Sequence, residues 1–135
     1  MKKKIIHRSS ETGETVTPEF AAANKSTTQT ETIEMDGVYY IGVERSKQKN
    51  KHGFTGEHSA DHPEWYADGQ LVEAAQFLLQ KGPSGKFYFP KNWDQEWFSK
   101  LCEKPFRKRL EIAGALLAAE LDRFLVLEER AEAKS

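Results

Sequence analysis

The chain contains a single cysteine, Cys102, among 135 residues. No intramolecular disulfide can staple it, and such usage suits a reducing compartment. It has no apolar run near the roughly 20 residues that cross a bilayer. Lys2, Lys3 and Lys4 are followed only by Ile5 and Ile6, too short a core for a signal peptide. A cytoplasmic protein without membrane contact is therefore expected. Excess charge of one sign is also missing, since the formal net charge is −1. That leaves no overall electrostatic footprint for nucleic acid or an anionic membrane. There is no Gly-rich phosphate loop, no Cys-x-x-Cys pair, no serine-nucleophile motif and no internal repeat.

What is present is 30% charged and 38% hydrophobic, which fits one polar globular domain with room for a small appendage. Basic residues cluster at Lys2-Lys3-Lys4, within residues 45–51, and at Arg107-Lys108-Arg109, and such clusters usually form solvated faces. The most informative stretch is residues 106–127, apolar almost all round a helix. At about 100° per residue, Phe106, Leu110, Ala113, Leu117, Leu121, Phe124 and Leu127 share one face, with Glu120 inside the stripe. Gly114, Ala115 and Ala118 on the far side are small enough for a second element to approach closely. A helix without a clear polar face belongs in a core or at a subunit contact. A carboxylate placed there must be paired, hydrated, metal-bound or protonated.

Local signals predict the other elements. Ile5-Ile6-His7 reads as a short strand, and Thr17-Pro18-Glu19 as a capped start for a short helix ending near Asn24. Residues 28–35 alternate like an edge strand. Asp36-Gly37 then reads as a hairpin turn, with residues 38–41 as the partner strand. From Val43 the character becomes helical. A charged helix over residues 44–51 stops at Gly53, and residues 54–67 form a loop in which Pro63 biases His62 away from helix. Asp68 caps a helix over residues 69–81 with Leu71, Ala74, Ala75 and Leu78 inward and Gly82-Pro83 at its end. Residues 86–90 are extended, and residues 93–101 make one or two turns presenting Trp93, Trp97, Phe98 and Leu101. Pro105 opens the last helix, which runs to residue 129. The predicted fold is a mostly helical α+β protein. Residues 1–41 form a β-rich, hairpin-like module or a mobile arm, and residues 42–135 form the helical domain. So small a chain has little material to cover the last helix, which suggests a homodimer.

Taken in order, these pieces resemble a group of small proteins found in phage and prophage genomes. The resemblance rests on Glu44-Arg45 with Gln48, then Gly53-Phe54-Thr55-Gly56-Glu57-His58. It continues with Gly69-Gln70-Leu71 and Ala74-Ala75, with Trp93-Asp94 and Trp97-Phe98, and with Ala113-Gly114-Ala115-Leu116 and Ala119-Glu120-Leu121-Asp122-Arg123. It covers about 80 residues. A weaker likeness, over Arg8-Ser9, Thr12-Gly13, Val16-Thr17, Ala21, Asn24 and Thr27-Thr28, is to a separate short module of phage proteins. The resemblance implies a phage-type accessory protein. Many members of the group carry an acidic pair after Glu-His, where this chain has Ser59-Ala60, and often a glutamate where it has Gln70. If those acids bind metal, this chain has lost part of the site or rebuilt it from Asp61 and Glu73.

Glu57, His58, Asp61 and His62 form the one cluster of ligand-type side chains, with histidines at i and i+4 as one-face metal binding requires. The plainer reading is a hydrogen-bonded loop. Alternatively Glu57, Asp61, Glu73 and Glu120 could converge as hard ligands for Mg²⁺, suiting nucleoside polyphosphate hydrolysis. That layout resembles the all-α nucleotide pyrophosphatases only loosely. Against it, Glu120 could pair with Arg45, Arg107 or Arg109, or accept from a Trp indole. Lys86 to Trp93 interleaves bases and rings, as single-strand binders do, yet a net-negative chain argues against nucleic acid. Phe87, Tyr88, Lys91, Trp93 and Trp97 are better candidates for contacting a partner, or simply for packing between helices. Cys102 has no orienting group that would make it a nucleophile. The expectation is a non-enzymatic binding protein, without cofactor, for a host or phage macromolecule such as a protein. The alternative is a divalent-metal-dependent nucleotide phosphohydrolase or nucleotide binder.

Overall fold

A computed structural model describes the chain except for residues 11, 13, 25–27 and 81–87. The described residues form two compact units, Met1–Tyr39 and Tyr40–Ser135.

The first unit is a small antiparallel sheet. Strand β1 (Lys3–Ser9) lies between β2 (Thr15–Val16) and β3 (Thr28–Glu34). The register sets Lys3 opposite Glu34 and Ser9 opposite Thr28, with His7 opposite Val16 on the other side. Among the described residues of this unit, only Ile6 and Ala21 are buried hydrophobics. Cross-strand polar pairs therefore carry much of the pairing: Arg8 with Glu31 at 3.2 Å, and His7 Nδ1 with Thr30 Oγ1 at 2.8 Å. The threonine cap holds as expected, because Thr17 Oγ1 accepts the Phe20 N–H at 3.1 Å and opens α1 (Pro18–Ala23).

The expected hairpin at Asp36-Gly37 does not form. Residues 38–41 belong instead to helix α2 (Gly37–Asn50), because the Asp36 carboxylate accepts the Tyr39 N–H at 2.9 Å. An aspartate before a glycine can serve either a tight turn or a helix start. Since β3 already has β1 as its partner, the chain takes the helix.

In the second unit the expected loop over residues 54–67 is two short helices, α3 (Gly56–Asp61) and α4 (Pro63–Tyr66). Thr55 Oγ1 caps the first by accepting the His58 N–H at 3.1 Å. Pro63 breaks the helix at His62 but opens the next one at its first position, where its missing N–H costs nothing. Helix α5 (Gln70–Leu78) is not capped by Asp68. Gly69 takes the cap position with φ 80, and the Asp68 carboxylate pairs with Lys91 at 3.2 Å. Residue 81, the expected end of that helix, and the Gly82-Pro83 stop lie outside the described residues. Helix α6 (Gln95–Cys102) starts at Asp94, which accepts the Trp97 N–H at 2.7 Å. Pro105 precedes α7 (Phe106–Ala133), one turn longer than expected.

The core joins Leu71, Ala74, Ala75 and Leu78 of α5 to Ile112, Ala113, Leu116 and Ala119 of α7, with Tyr66 and Phe98. Two glycines let helices close on α7. A Cβ at Gly114 would lie 2.6 Å from Ile41 Cδ1 of α2. One at Gly56 of α3 would lie 2.9 Å from the Asp122 carbonyl oxygen. The small-residue face of α7 is thus the buried one, and the large apolar stripe read from the sequence is largely not. Leu110, Leu117, Leu121 and Phe124 are each 45–60% exposed. No described helix is long and apolar enough to cross a membrane.

Candidate ligand cavity in the helical unit

Two polar clusters fix the helices around an open space. Arg45 on α2 donates through Nε and Nη2 to Asp122 Oδ2 on α7, at 2.9 and 2.7 Å. Its Nη1 donates to Gln48 Oε1 at 3.2 Å and to the Phe54 carbonyl at 2.8 Å. The guanidinium fork is suited to such a junction, because its donors leave in fixed directions. One residue before it, the buried Glu44 carboxylate is held by Lys108 of α7 and, at 3.5 Å, by Lys47. Burial pushes the Glu44 carboxyl up, but the two ammonium groups outweigh this and hold it below the usual glutamate range. Glu44 in turn raises Lys108.

Next to these clusters, five rings close a circuit. Phe54 and His58 are 5.8 Å apart between centroids, His58 and Tyr66 5.8 Å, and Tyr66 and Trp93 6.1 Å. Trp93 and Trp97 at 6.1 Å and Trp97 and Phe54 at 6.3 Å complete it. These are the spacings at which aromatic pairs attract. The Trp93 indole is oriented by donating to the Trp65 carbonyl at 2.7 Å. Burial raises the Tyr66 hydroxyl, helped by Glu64.

Phe54, Trp65, Tyr66, Trp93 and Trp97 line a cavity of about 650 Å³, floored by Leu71, Ile112, Leu116 and Ala119. Lys47, Lys104, Lys108, Glu44 and Asp94 supply charge around it. That size and an apolar wall with few polar groups are typical of a small-molecule site.

The proposed metal ligands are dispersed. Asp61 pairs with Arg130 at 2.9 Å, and His62 Nδ1 with Glu64 at 2.9 Å. Glu57 is exposed in the first turn of α3, and Glu73 lies half-buried in the first turn of α5. Glu120 is buried and pairs with Arg123 one turn on, rather than with Arg45, Arg107 or Arg109. His58 and His62 do meet, with centroids 4.5 Å apart, and His62 stacks on Trp65 at 4.5 Å. Among the described residues no three His, Cys, Asp or Glu side chains are placed to hold a metal ion. Gln70 is fully buried, with Oε1 accepting the Asp68 N–H at 2.7 Å and Nε2 donating to the Glu64 and Lys91 carbonyls. Its amide therefore ties the α4–α5 connection to the segment before α6. Burial raises the Cys102 thiol, which favours its protonated form.

Of the residues singled out for partner contact, Trp93 and Trp97 line the cavity. Tyr88 instead stacks on Phe77 at 5.8 Å, and Lys91 binds Asp68. Phe87 lies outside the described residues. The sequence did not single out Phe54, Trp65, Tyr66 or the three lysines as one site. The only hint was the adjacency of Trp65-Tyr66 to the histidine pair.

No family model matches this chain, and neither the curated proteins nor the solved structures compared with it give a match.

Proposed function

We propose that this chain is a non-enzymatic binding protein of phage type, working in the cytoplasm through the aromatic cavity of its helical unit. The observation that carries the reading is the five-ring circuit beside a cavity of ligand size. The carboxylates lining it are already engaged, Glu44 by two lysines and Asp94 by the helix it caps. Neither is poised as a general base. The phage assignment rests on the resemblance of residues 43–123 alone.

The test is a thermal-shift screen of small molecules on wild type and Trp97→Ala. Ligands that raise the melting temperature of wild type but not of the variant support the cavity. No such ligand, or equal shifts in both proteins, overturns it. Release of phosphate from nucleoside triphosphates with Mg²⁺, above a protein-free blank, would overturn the non-enzymatic part.

A second reading concerns the macromolecular partner, a host or phage protein or a second copy of this chain. It is supported by the outer face of α7, where Leu110, Leu117, Leu121, Phe124 and Leu125 stand 45–60% exposed. Contiguous apolar surface of this kind marks interaction sites more often than scattered leucines do.

A further inference from the structure

The cavity carries information about its ligand in the way charge is distributed around it. Its rings offer flat faces and edges, at which a planar ring system stacks favourably. Both lining carboxylates are spent, Glu44 on Lys108 and Lys47, and Asp94 on the Trp97 N–H. Three ammonium groups, from Lys47, Lys104 and Lys108, stand against these two carboxylates, so the lining holds one more ammonium than carboxylate. Lys104 forms no ion pair among the described residues, and Lys47 is 53% exposed with only a long contact to Glu44. The lysines also lie close in the fold. Lys47 and Lys108 reach the same Glu44 oxygen, and Lys104 sits just before α7 opens.

Resting on the binding reading above, we propose that the cavity selects a small planar aromatic molecule carrying an anionic group. The ring stacks among Phe54, Trp65, Trp93 and Trp97, and the carboxylate or phosphate meets Lys104 and Lys47. A neutral ring gains only the apolar part of that arrangement. A cationic ring gains cation–π contact but meets a lining in which ammonium groups outnumber carboxylates. The lysines decide the sign.

Calorimetric titration of the whole chain with 2-naphthoate, 2-naphthamide and 2-naphthylmethylammonium tests this, because the three share a ring and differ in charge. The acid is expected to bind about tenfold tighter than the amide, one charge-assisted contact being worth that much, and the ammonium weakest. Lys104→Gln should bring acid and amide together by weakening the acid more than the amide. Raising salt from about 20 to 300 mM should act the same way, by screening. Trp97→Ala should weaken all three. Equal affinity of acid and amide in wild type, or tightest binding by the ammonium, would overturn the anion selectivity while leaving the cavity as a binding site. Failure of all three, while other screened ligands bind in a Trp97-dependent manner, would overturn the planar aromatic class. An acidic, tryptophan-containing pentapeptide that binds where naphthoate does not would overturn the small molecule in favour of a protein segment.

Discussion

The two sides of the α2–α7 pair are built from neighbouring residues and do opposite things. Around Arg45, the fork makes four hydrogen bonds, to Asp122, Gln48 and the Phe54 carbonyl, and ties α2 to α7. Around Trp93 and Trp97, rings touch one another edge to face and leave space between them. Glu44 and Arg45 are adjacent in the chain, yet one lines the cavity and the other anchors the frame. On the locked side, Arg45, Gly56, Gly114 and Asp122 each make or permit a contact between helices.

If that division is right, substitutions on the locked side should cost stability and those on the ring side should cost binding. Arg45→Ala has the largest expected effect. It strands Asp122 and the Phe54 carbonyl, and breaking a pair with one buried member costs about 3–5 kcal/mol. Urea denaturation should show it as a lower midpoint at unchanged slope, and Arg45→Lys should recover only part, lacking the fork. A loss below about 1 kcal/mol, the ordinary worth of an exposed pair, would break the comparison. Gln70→Glu comes next. A carboxylate cannot donate to the Glu64 and Lys91 carbonyls, so about 2 kcal/mol should be lost at neutral pH. The deficit should shrink in acid, where a protonated carboxyl regains one donor. A glutamate tolerated without cost would mean that the two bonds Gln70 donates do not hold this connection.

Elements with strong local signals were legible in the sequence. Thr17-Pro18, the apolar spacing of Leu71, Ala74, Ala75 and Leu78, and Pro105 each act within a turn or two of chain. Asp36-Gly37 was misread because one dipeptide serves two structures, and the choice was settled by β1 across the sheet. Residues 54–67 were misread because Pro63 stops one helix and starts another. The site was half legible. Trp93 and Trp97 stood out as candidates for partner contact, but Phe54 meets Trp97 from 43 residues away in the chain and Tyr66 meets Trp93 from 27. The ion pair of Glu120 was anticipated, though not with Arg123. The residues read as a metal set sit on three helices, and Asp61, His62 and Glu120 each have a different ion-pair partner.

The outer face of α7 sharpens the comparison without touching either side. Leu117→Glu with Leu121→Glu should change stability little, since both side chains are already half exposed or more. If a second copy covers this face, sedimentation of wild type should depend on concentration, and that of the double variant should not. Concentration-independent sedimentation of wild type would leave the face to a different protein.

The smallest effect concerns His58, the one imidazole of the ring circuit. Burial lowers its pKa below the ordinary value, and the neighbouring His62 lowers it further, while Asp61 and Glu64 pull the other way. Its ring meets Phe54, Trp65 and Tyr66 besides His62. A histidine with a depressed folded pKa stays neutral in the fold while the unfolded chain takes up the proton. Its contribution is therefore fully present above about pH 6.5, the unfolded value, and is lost as pH falls through the folded one. Urea midpoints of wild type should drop between pH 7.5 and 5. In His58→Phe, which keeps a ring and removes the proton site, the drop should be smaller. Ligand binding should follow the same curve only if the circuit shapes the cavity, since His58 closes the ring without lining the space itself. Equal pH dependence in both proteins would place the acid sensitivity elsewhere. Glu44 is the next group to examine, because its depressed carboxyl loses its lysine contacts only at still lower pH.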